Sequence, residues 1–366
     1  MDSYAAALRG SVFPGCIVLD IGTGPGIMAM LACQFGAGRV YALEPDDAIH
    51  VARAVATANG LGDRIEFIQN MSTAIELPER ANVIVSDLRS VLPLFQQHIP
   101  SIIDARQRHL APGGQLIPRR DVLWVAPVEA PARYARHMGP WRANTFALDM
   151  EAARRFVSNS WRKARAEPGE LLCKPAEWAV LDYRTIERAD VHGAVEVAFE
   201  RSGTMHGFHV WFDAVLTDGV HFSNSPRCPE LIYGSAFFPI VEPVSVECGD
   251  VLLLELRADL VGDDYVWSWD TCVRADAPQG FIRASFRQTT FYGVPLTLEK
   301  LHRRGSEYVP ALASNGEIDH FMLALMDGRR PLREIAQAAA ERFPSCFARW
   351  EDALSRAGEL SLRYSR

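Results

Sequence analysis

Apolar residues are spaced in two different ways along this chain, and the change of spacing divides it. From Cys16 to Pro118 short unbroken apolar runs alternate with segments of helical period. The runs are CIVL, which ends at Leu19, then RVYAL up to Glu44, IEFIQ, ANVIVS and, after a turn at APGG, QLIP. Runs of this length, closed by turn residues, predict strands buried on both faces. Helical spacing from Ile27, in AIHVARAVATANG with its stop at Gly60, and in HIPSIIDARQRHL supplies the crossovers. An α/β fold with a doubly wound parallel sheet follows for residues 1–118.

Beyond Pro118 the rhythm changes. DVLWVAPVE, EVAFER, FHVWFDAVL, VSVECGDVLLLELRADL and YVWSWDTCV are separated by turn residues and predict antiparallel strands. Residues 119–295 are therefore expected to form a β-sandwich or β-barrel domain. Trp267 and Trp269 flank Ser268, which puts both indoles on one face, as core packing. A helical arm at about 139–168 interrupts these strands and carries Trp141, Phe146, Phe156 and Trp161. It folds onto its own barrel or docks on a second subunit. Residues 305–366 read as a small helical module, with two amphipathic helices around Asp327–Gly328 and a third in FARWEDALSRAGEL.

The first strand carries the chemistry. Asp20 stands at its tip, and Gly22, Thr23, Gly24 and Gly26 follow before the helix begins at Ile27. Glycines at such a bend let the backbone approach a ligand closely and permit positive φ. The spacing Gly-Thr-Gly-Pro-Gly departs from the dinucleotide fingerprint, and an acid at this point repels a pyrophosphate but suits an amino group. Glu44 closes the next strand, 24 residues beyond Asp20, where a carboxylate can accept both hydroxyls of a ribose.

Composition narrows the class. The chain of 366 residues is 48% hydrophobic and 23% charged, ordinary for a globular protein, and is long enough for two or three domains. A net charge of −7 argues against a general nucleic-acid or membrane binder. The seven cysteines are scattered with no CxxC pair, which favours reduced thiols over a disulfide framework or a zinc site, and so a cytoplasmic protein.

VLDIGTGPG resembles motif I of the class I S-adenosylmethionine (SAM) methyltransferases. That resemblance implies that the glycine turn faces the methionine part of SAM and that Glu44, with Pro45 beside it, holds the ribose. It also implies that Ser72 and Thr73 meet the adenine edge, and that S-adenosylhomocysteine is the product. Such enzymes often carry lid helices upstream; here one short helical piece, MDSYAAALRGSVFPG, is expected before the sheet, through a shortened start or the absence of a lid.

The span from Tyr4 to about Val273 further resembles the protein arginine methyltransferases. Matching pieces are VLDIGTGPG, the strand ending at Glu44, ELPE at 76–79, SDL at 86–88, ARQRHLAPGG and HGFHVWFD. The resemblance implies a Rossmann-like SAM domain, a β-barrel and a dimerisation arm, hence a homodimer. It implies a peptide, protein or arginine-like small-molecule substrate.

The substrate loops depart from that family. Aligning SDLRSVLPLFQQ with the hairpin loop that carries its two glutamates puts Asp87 at the first and Gln96 at the second. Asp is a methylene shorter than Glu, which moves a bound guanidinium by roughly 1 Å, a displacement that can cost about a hundredfold in rate. Gln is neutral and can donate an N–H. Where the family has Thr-His-Trp, this chain has Leu231, Ile232 and Tyr233. Asp87 is accordingly the candidate substrate-orienting acid or base, also bordering the cofactor, and Gln96 the candidate substrate hydrogen-bonder. Arg89 could hold an acidic substrate group or be an exposed or paired loop arginine, and His98, His206 and His209 are possible bases. The second functional reading is a catalytically inactive, peptide-binding relative. The C-terminal module resembles the winged-helix modules related to the peptide chaperone of PQQ synthesis, which implies peptide binding.

Overall fold

The computed structural model describes residues 1–142, 145–276, 280–295 and 297–365. Residues 143 and 144 of the expected arm, 277–279 of the expected barrel domain and 366 of the expected C-terminal module lie outside the described residues. The chain forms two compact units, Met1–Pro295 and Leu296–Arg366.

The first unit opens with α1 (Asp2–Ser11) and a five-stranded parallel sheet. Its strands are β1 (Ile17–Ile21), β2 (Arg39–Leu43), β3 (Ile65–Ile68), β4 (Ala81–Ser86) and β5 (Leu110–Ile117), in the order β3-β2-β1-β4-β5. Helices α2 (Ile27–Gln34), α3 (Ala48–Ala58) and α4 (His98–Arg108) follow β1, β2 and β4. Val18, Leu19, Val40, Tyr41, Ala42, Ile84 and Val85 are almost wholly buried, as expected of strands covered on both faces. Ile21 pairs with Leu43 on one side and with Ser86 on the other, so β1, β2 and β4 end level. The order reverses between β1 and β4, the place where open α/β sheets bind their ligands. Asp20, Glu44 and Asp87 all stand at or just past this edge.

The β-rich part has a sheet ordered β7-β12-β10-β6-β8 and another ordered β15-β14-β13-β9. They are built from β6 (Arg120–Val128), β7 (Arg162–Ala164), β8 (Ala176–Asp182), β9 (Val191–Ala198), β10 (Gly203–Thr217) and β11 (Val220–Ser223), which pairs with β10. The rest are β12 (Ser235–Val246), β13 (Val251–Val261), β14 (Asp264–Arg274) and β15 (Ile282–Thr289). The sheets share a core in which Phe208 stacks on Phe238 at 5.0 Å and Trp269 meets Phe238 edge-on at 5.1 Å. Trp267 and Trp269 are both buried there. VSVECGDVLLLELRADL is two strands, β12 and β13, because Gly249 at φ +94° turns the chain between them.

The arm carries α5 (Pro131–Met138) and α6 (Glu151–Ser158). It starts earlier than expected, since Pro131 takes the first helical turn, where its missing N–H costs nothing. Its end differs too, because Arg162–Ala164 pairs with β12 as a strand. Arg154 ties α6 to the sheet through Val241 O at 2.8 Å and the Glu242 carboxylate. Trp161 packs against the barrel core, whereas Phe146 is 90% exposed.

The second unit contains α7 (Leu298–His302), α8 (Ser314–Ala324), α9 (Leu332–Arg342) and α10 (Trp350–Tyr364). Ile318, Met322, Ile335, Ala339, Phe347 and Ala353 form its core. Its described residues are helices and turns, with no strand from which a wing could be made.

Candidate active site

A cleft of about 370 Å³ opens at the level ends of β1, β2 and β4. Gly22, Glu44, Pro45, Ser72, Asp87 and Gln96 line it, together with Arg89 and His98. Asp20 on β1 and Thr23, Gly24 and Gly26 in the turn after it are not among the residues that line it. Thr73 is exposed and outside the cleft, because the short 3₁₀ turn Ser72–Ala74 points only Ser72 inward.

The glycine turn is fixed by its own backbone. Gly22 and Thr23 N–H groups both donate to Leu43 O, at 2.8 and 2.9 Å, which brings the turn over the end of β2. Gly22 takes φ +73°, and a Cβ there would come 2.4 Å from Leu88 Cδ2. The Gly24 N–H donates to Glu44 Oε2 at 2.9 Å, and the Asp46 N–H to Glu44 Oε1 at 3.2 Å. Glu44 is thus held at the rim with its carboxylate presented to the cleft.

Asp20 is fully buried. Its Oδ2 accepts from Thr23 Oγ1 at 2.6 Å, while Oδ1 has no hydrogen-bond partner among the described residues. Burial pushes its carboxyl up to about 7; the Thr23 hydroxyl and the Ala29 amide pull the other way, and Glu44 and Asp87 add to the rise. A buried carboxylate oxygen without a donor fits a ligand that brings one. Ser72 Oγ, buried in the lining of the cleft, is also without a partner among the described residues.

Asp87 lies past β4 and accepts from two directions. The Tyr233 hydroxyl donates to Oδ2 at 2.5 Å, and Arg89 Nη1 donates to Oδ1 at 3.3 Å. Arg89 is shared between Asp87, at 3.3 Å, and a closer acid. The guanidinium, with no exposed side-chain surface, is committed to Asp121 through Nε–Oδ2 at 2.9 Å and Nη2–Oδ1 at 2.7 Å. Arg89 Nη1 also donates to Tyr4 Oη at 2.5 Å, and its guanidinium lies over Phe212 and Phe222. Of the readings of Arg89, pairing is therefore the one realised.

Tyr183 donates to Asp121 Oδ2 at 2.6 Å, and its oxygen lies 3.1 Å from His98 Nε2. With the Tyr183 proton committed to Asp121, His98 donates from Nε2, which leaves Nδ1 bare. Burial and then the charge of Arg89 push His98 down to about 3, so it is neutral at working pH and unsuited to be a general base. His206 and His209 belong to the barrel. His209 pairs with Ser235 Oγ at 2.9 Å, and His206 Nδ1 lies 2.8 Å from Thr204 O. Gln96 is exposed at the cleft with φ +42°. Among the described residues no cluster of His, Cys, Asp and Glu is set to hold a metal ion.

Comparison with known proteins separates the two halves of the first unit. Residues 5–118 match the family described as ribosomal protein L11 methyltransferase, and residues 119–265 match the arginine methyltransferase oligomerization subdomain. The chain is 32% identical over 237 residues to the probable protein arginine N-methyltransferase 6 of Arabidopsis thaliana, covering 62% of this chain and 53% of that one. It is 31% identical over 247 residues to protein arginine N-methyltransferase 6 of Danio rerio, covering 63% of this chain and 70% of the relative. The chain belongs to the protein arginine methyltransferase family. Solved arginine methyltransferases share the fold. Arabidopsis thaliana protein arginine methyltransferase 10 superposes with a TM-score of 0.69 at 23% identity, over 79% of this chain and 93% of that one. The Trypanosoma brucei PRMT1 enzyme–prozyme complex with AdoHcy gives 0.70 at 20% identity, over 78% and 94%.

For a member of the arginine methyltransferase family, the residues that sequence reasoning missed are the partners behind the cleft: Tyr4, Asp121, Tyr183 and the hydroxyl of Tyr233. Asp121 carried one usable signal. It is an acid directly after an arginine, Arg120, at the start of a strand whose alternate residues are apolar, and it falls on the inward face.

Proposed function

We propose that the chain transfers a methyl group from SAM to an arginine-like side chain of a peptide or protein. The observation that carries this reading is the charge of the cleft. Glu44, Asp46 and Asp87 line it, while the cation among the described lining residues, Arg89, is divided between Asp87 and Asp121, so the lining stays net negative. Such a cleft attracts cations, and both a sulfonium and a guanidinium are cations.

The residues fit the donor. Asp20 Oδ1 and Ser72 Oγ are buried acceptor and donor sites awaiting partners, Gly22 bares its backbone, and Glu44 is fixed at the distance of a neighbouring strand. In this reading Asp20 and the turn Gly22–Gly26 hold the amino-acid end, Glu44 and Pro45 the ribose, and Ser72 the adenine side. When bound, SAM supplies a methyl group on an electrophilic sulfonium. The chain's own residues orient the acceptor: Asp87 accepts an N–H from the guanidinium and receives the proton shed by the attacking nitrogen, and Gln96 accepts or donates at the open side. Most of the rate then comes from holding the nucleophile in line.

The arm is the proposed route to a homodimer. Phe146, Leu148, Met150 and Phe156 are exposed on it, an apolar set without cover in a single chain. For residues 305–366 a peptide-recruiting role is proposed on resemblance and helical packing. The seven cysteines are all unpaired, which supports a cytoplasmic setting, and among the described residues no helix is long and apolar enough to cross a membrane.

The test is label transfer from methyl-labelled SAM to an arginine-rich peptide and to the same peptide with lysine in place of arginine. Label in the first peptide only, lost in Asp87→Ala, supports the reading. S-adenosylhomocysteine (SAH) binding without label in either peptide would favour the binding-only protein.

A further inference from the structure

We propose that Tyr233 is a specificity-determining residue, whose hydroxyl engages Oδ2 of Asp87 and so weakens one of the two parallel N–H···O bonds that a guanidinium would make to that carboxylate. The inference rests on the reading above that Asp87 faces the acceptor.

Tyr233 sits in the loop between β11 and β12, two residues before β12 begins. Its ring is held on both sides of its path. It stacks on Phe222 at 5.7 Å and 15°, and meets Phe212 edge-on at 5.5 Å and 71°. The following turn is closed by Gly234 N–H to Leu231 O at 3.2 Å, and Asn224 Nδ2 holds Gly234 O. The hydroxyl is therefore delivered to Asp87 by a packed aromatic cluster and not by a free side chain. Burial, and then the nearby Asp87 carboxylate, push the Tyr233 phenol well above its usual range, so it remains a donor at any working pH.

The consequence concerns acceptor geometry. An ionised carboxylate offers about four lone-pair sites on two oxygens. A guanidinium binds best through two parallel N–H···O bonds, one to each oxygen. Tyr233 takes one of the two sites on Oδ2 at 2.5 Å and Arg89 one of those on Oδ1 at 3.3 Å, so the shorter contact, on Oδ2, most weakens that half of a parallel pair. An ammonium, a point charge with rotatable donors, loses much less from this arrangement. Tyr233 thus lowers the preference of the site for an unmodified guanidinium over a single-donor cation, at a loop position reached from the barrel.

The test titrates arginine amide and lysine amide into SAH-saturated protein for wild type, Tyr233→Phe and Asp87→Asn. Tyr233→Phe keeps the ring and removes the hydroxyl. We expect it to tighten arginine amide by about tenfold, the scale of one charge-assisted hydrogen bond, and lysine amide by less than about twofold. Asp87→Asn should weaken both. Arginine amide binding unchanged or weakened in Tyr233→Phe, while Asp87→Asn still loses both, overturns the role of Tyr233 and leaves Asp87 in place. Full binding by Asp87→Asn, or no arginine amide binding by any of the three proteins, overturns the reading of the acceptor site and this assignment with it. Loss of SAH binding in Tyr233→Phe would make Tyr233 a structural strut and also overturn the proposal.

Discussion

Arg89 and Asp121 form a bidentate ion pair with neither side chain exposed, joining the loop after β4 to the first strand of the barrel. Tyr4 from α1 and Tyr183 after β8 complete the hydrogen bonds of the pair. The network ties four separate segments together directly behind the cleft, so stability and site geometry depend on the same atoms.

Removing one partner leaves a buried charge uncompensated, which typically costs about 3–5 kcal/mol. Asp121→Ala is expected to lower the unfolding free energy by about that amount in urea denaturation. A loss below about 1 kcal/mol would show that water reaches Arg89 and that the pair is not the tie described.

Asp20 makes stability fall with rising pH. Its carboxyl titrates near 7 when folded against an ordinary 3.8, so between these values the folded state holds a proton that the unfolded state has lost. Stability contributed by this group is full below about pH 4, declines by up to roughly 1.4 kcal/mol per pH unit, and levels off above about 7. Asp20→Asn should remove the decline, so its stability advantage over wild type grows from pH 4.5 to 7.5. An advantage independent of pH would contradict the shifted titration. The same substitution should weaken SAH binding, since it removes the carboxylate proposed to face the ligand's amino group.

Glu44 and Gln96 are assigned to different subsites. Glu44→Ala removes a rim carboxylate and frees the Gly24 N–H, and should weaken SAH by tenfold or more, about 1.4 kcal/mol. Gln96→Ala should leave SAH affinity within about twofold and impair only acceptor methylation. Equal losses of SAH affinity from both, measured by titration calorimetry, would mean that the subsites are misplaced.

Phe146 is the most exposed apolar side chain of the arm. A charge there should disfavour burial against a second subunit. Phe146→Asp is expected to shift the protein from dimer to monomer in sedimentation analysis while its circular dichroism at room temperature stays that of the folded chain. An unchanged dimer would place the interface elsewhere.

Much of this arrangement is legible in the primary structure. Apolar runs of strand length give the parallel sheet, because such strands are buried on both faces and carry no alternation. Asp20, the glycines and Glu44 stand out because backbone approach to a ligand needs those residues in that order. Edge strands β7 and β11 escaped notice; each is too short to show a period, and pairing with β12 and β10 creates them. The partners of Asp87 and Arg89 were illegible for another reason. Tyr233 bonds Asp87 from 146 residues away, and Tyr4 and Asp121 bond Arg89 from 85 and 32 residues away along the chain, and nothing local to any of them signals that folding brings them together. Arg89 shows the limit most plainly: its neighbours in the loop suggest a solvent-facing arginine, and only the barrel supplies the acid that buries it.

The account depends above all on a donor site between the first glycine turn and Glu44. Isothermal titration of the full chain with SAH tests it directly. A one-to-one binding heat that is lost in Glu44→Ala is the predicted result. No heat from folded protein at saturating SAH would contradict it.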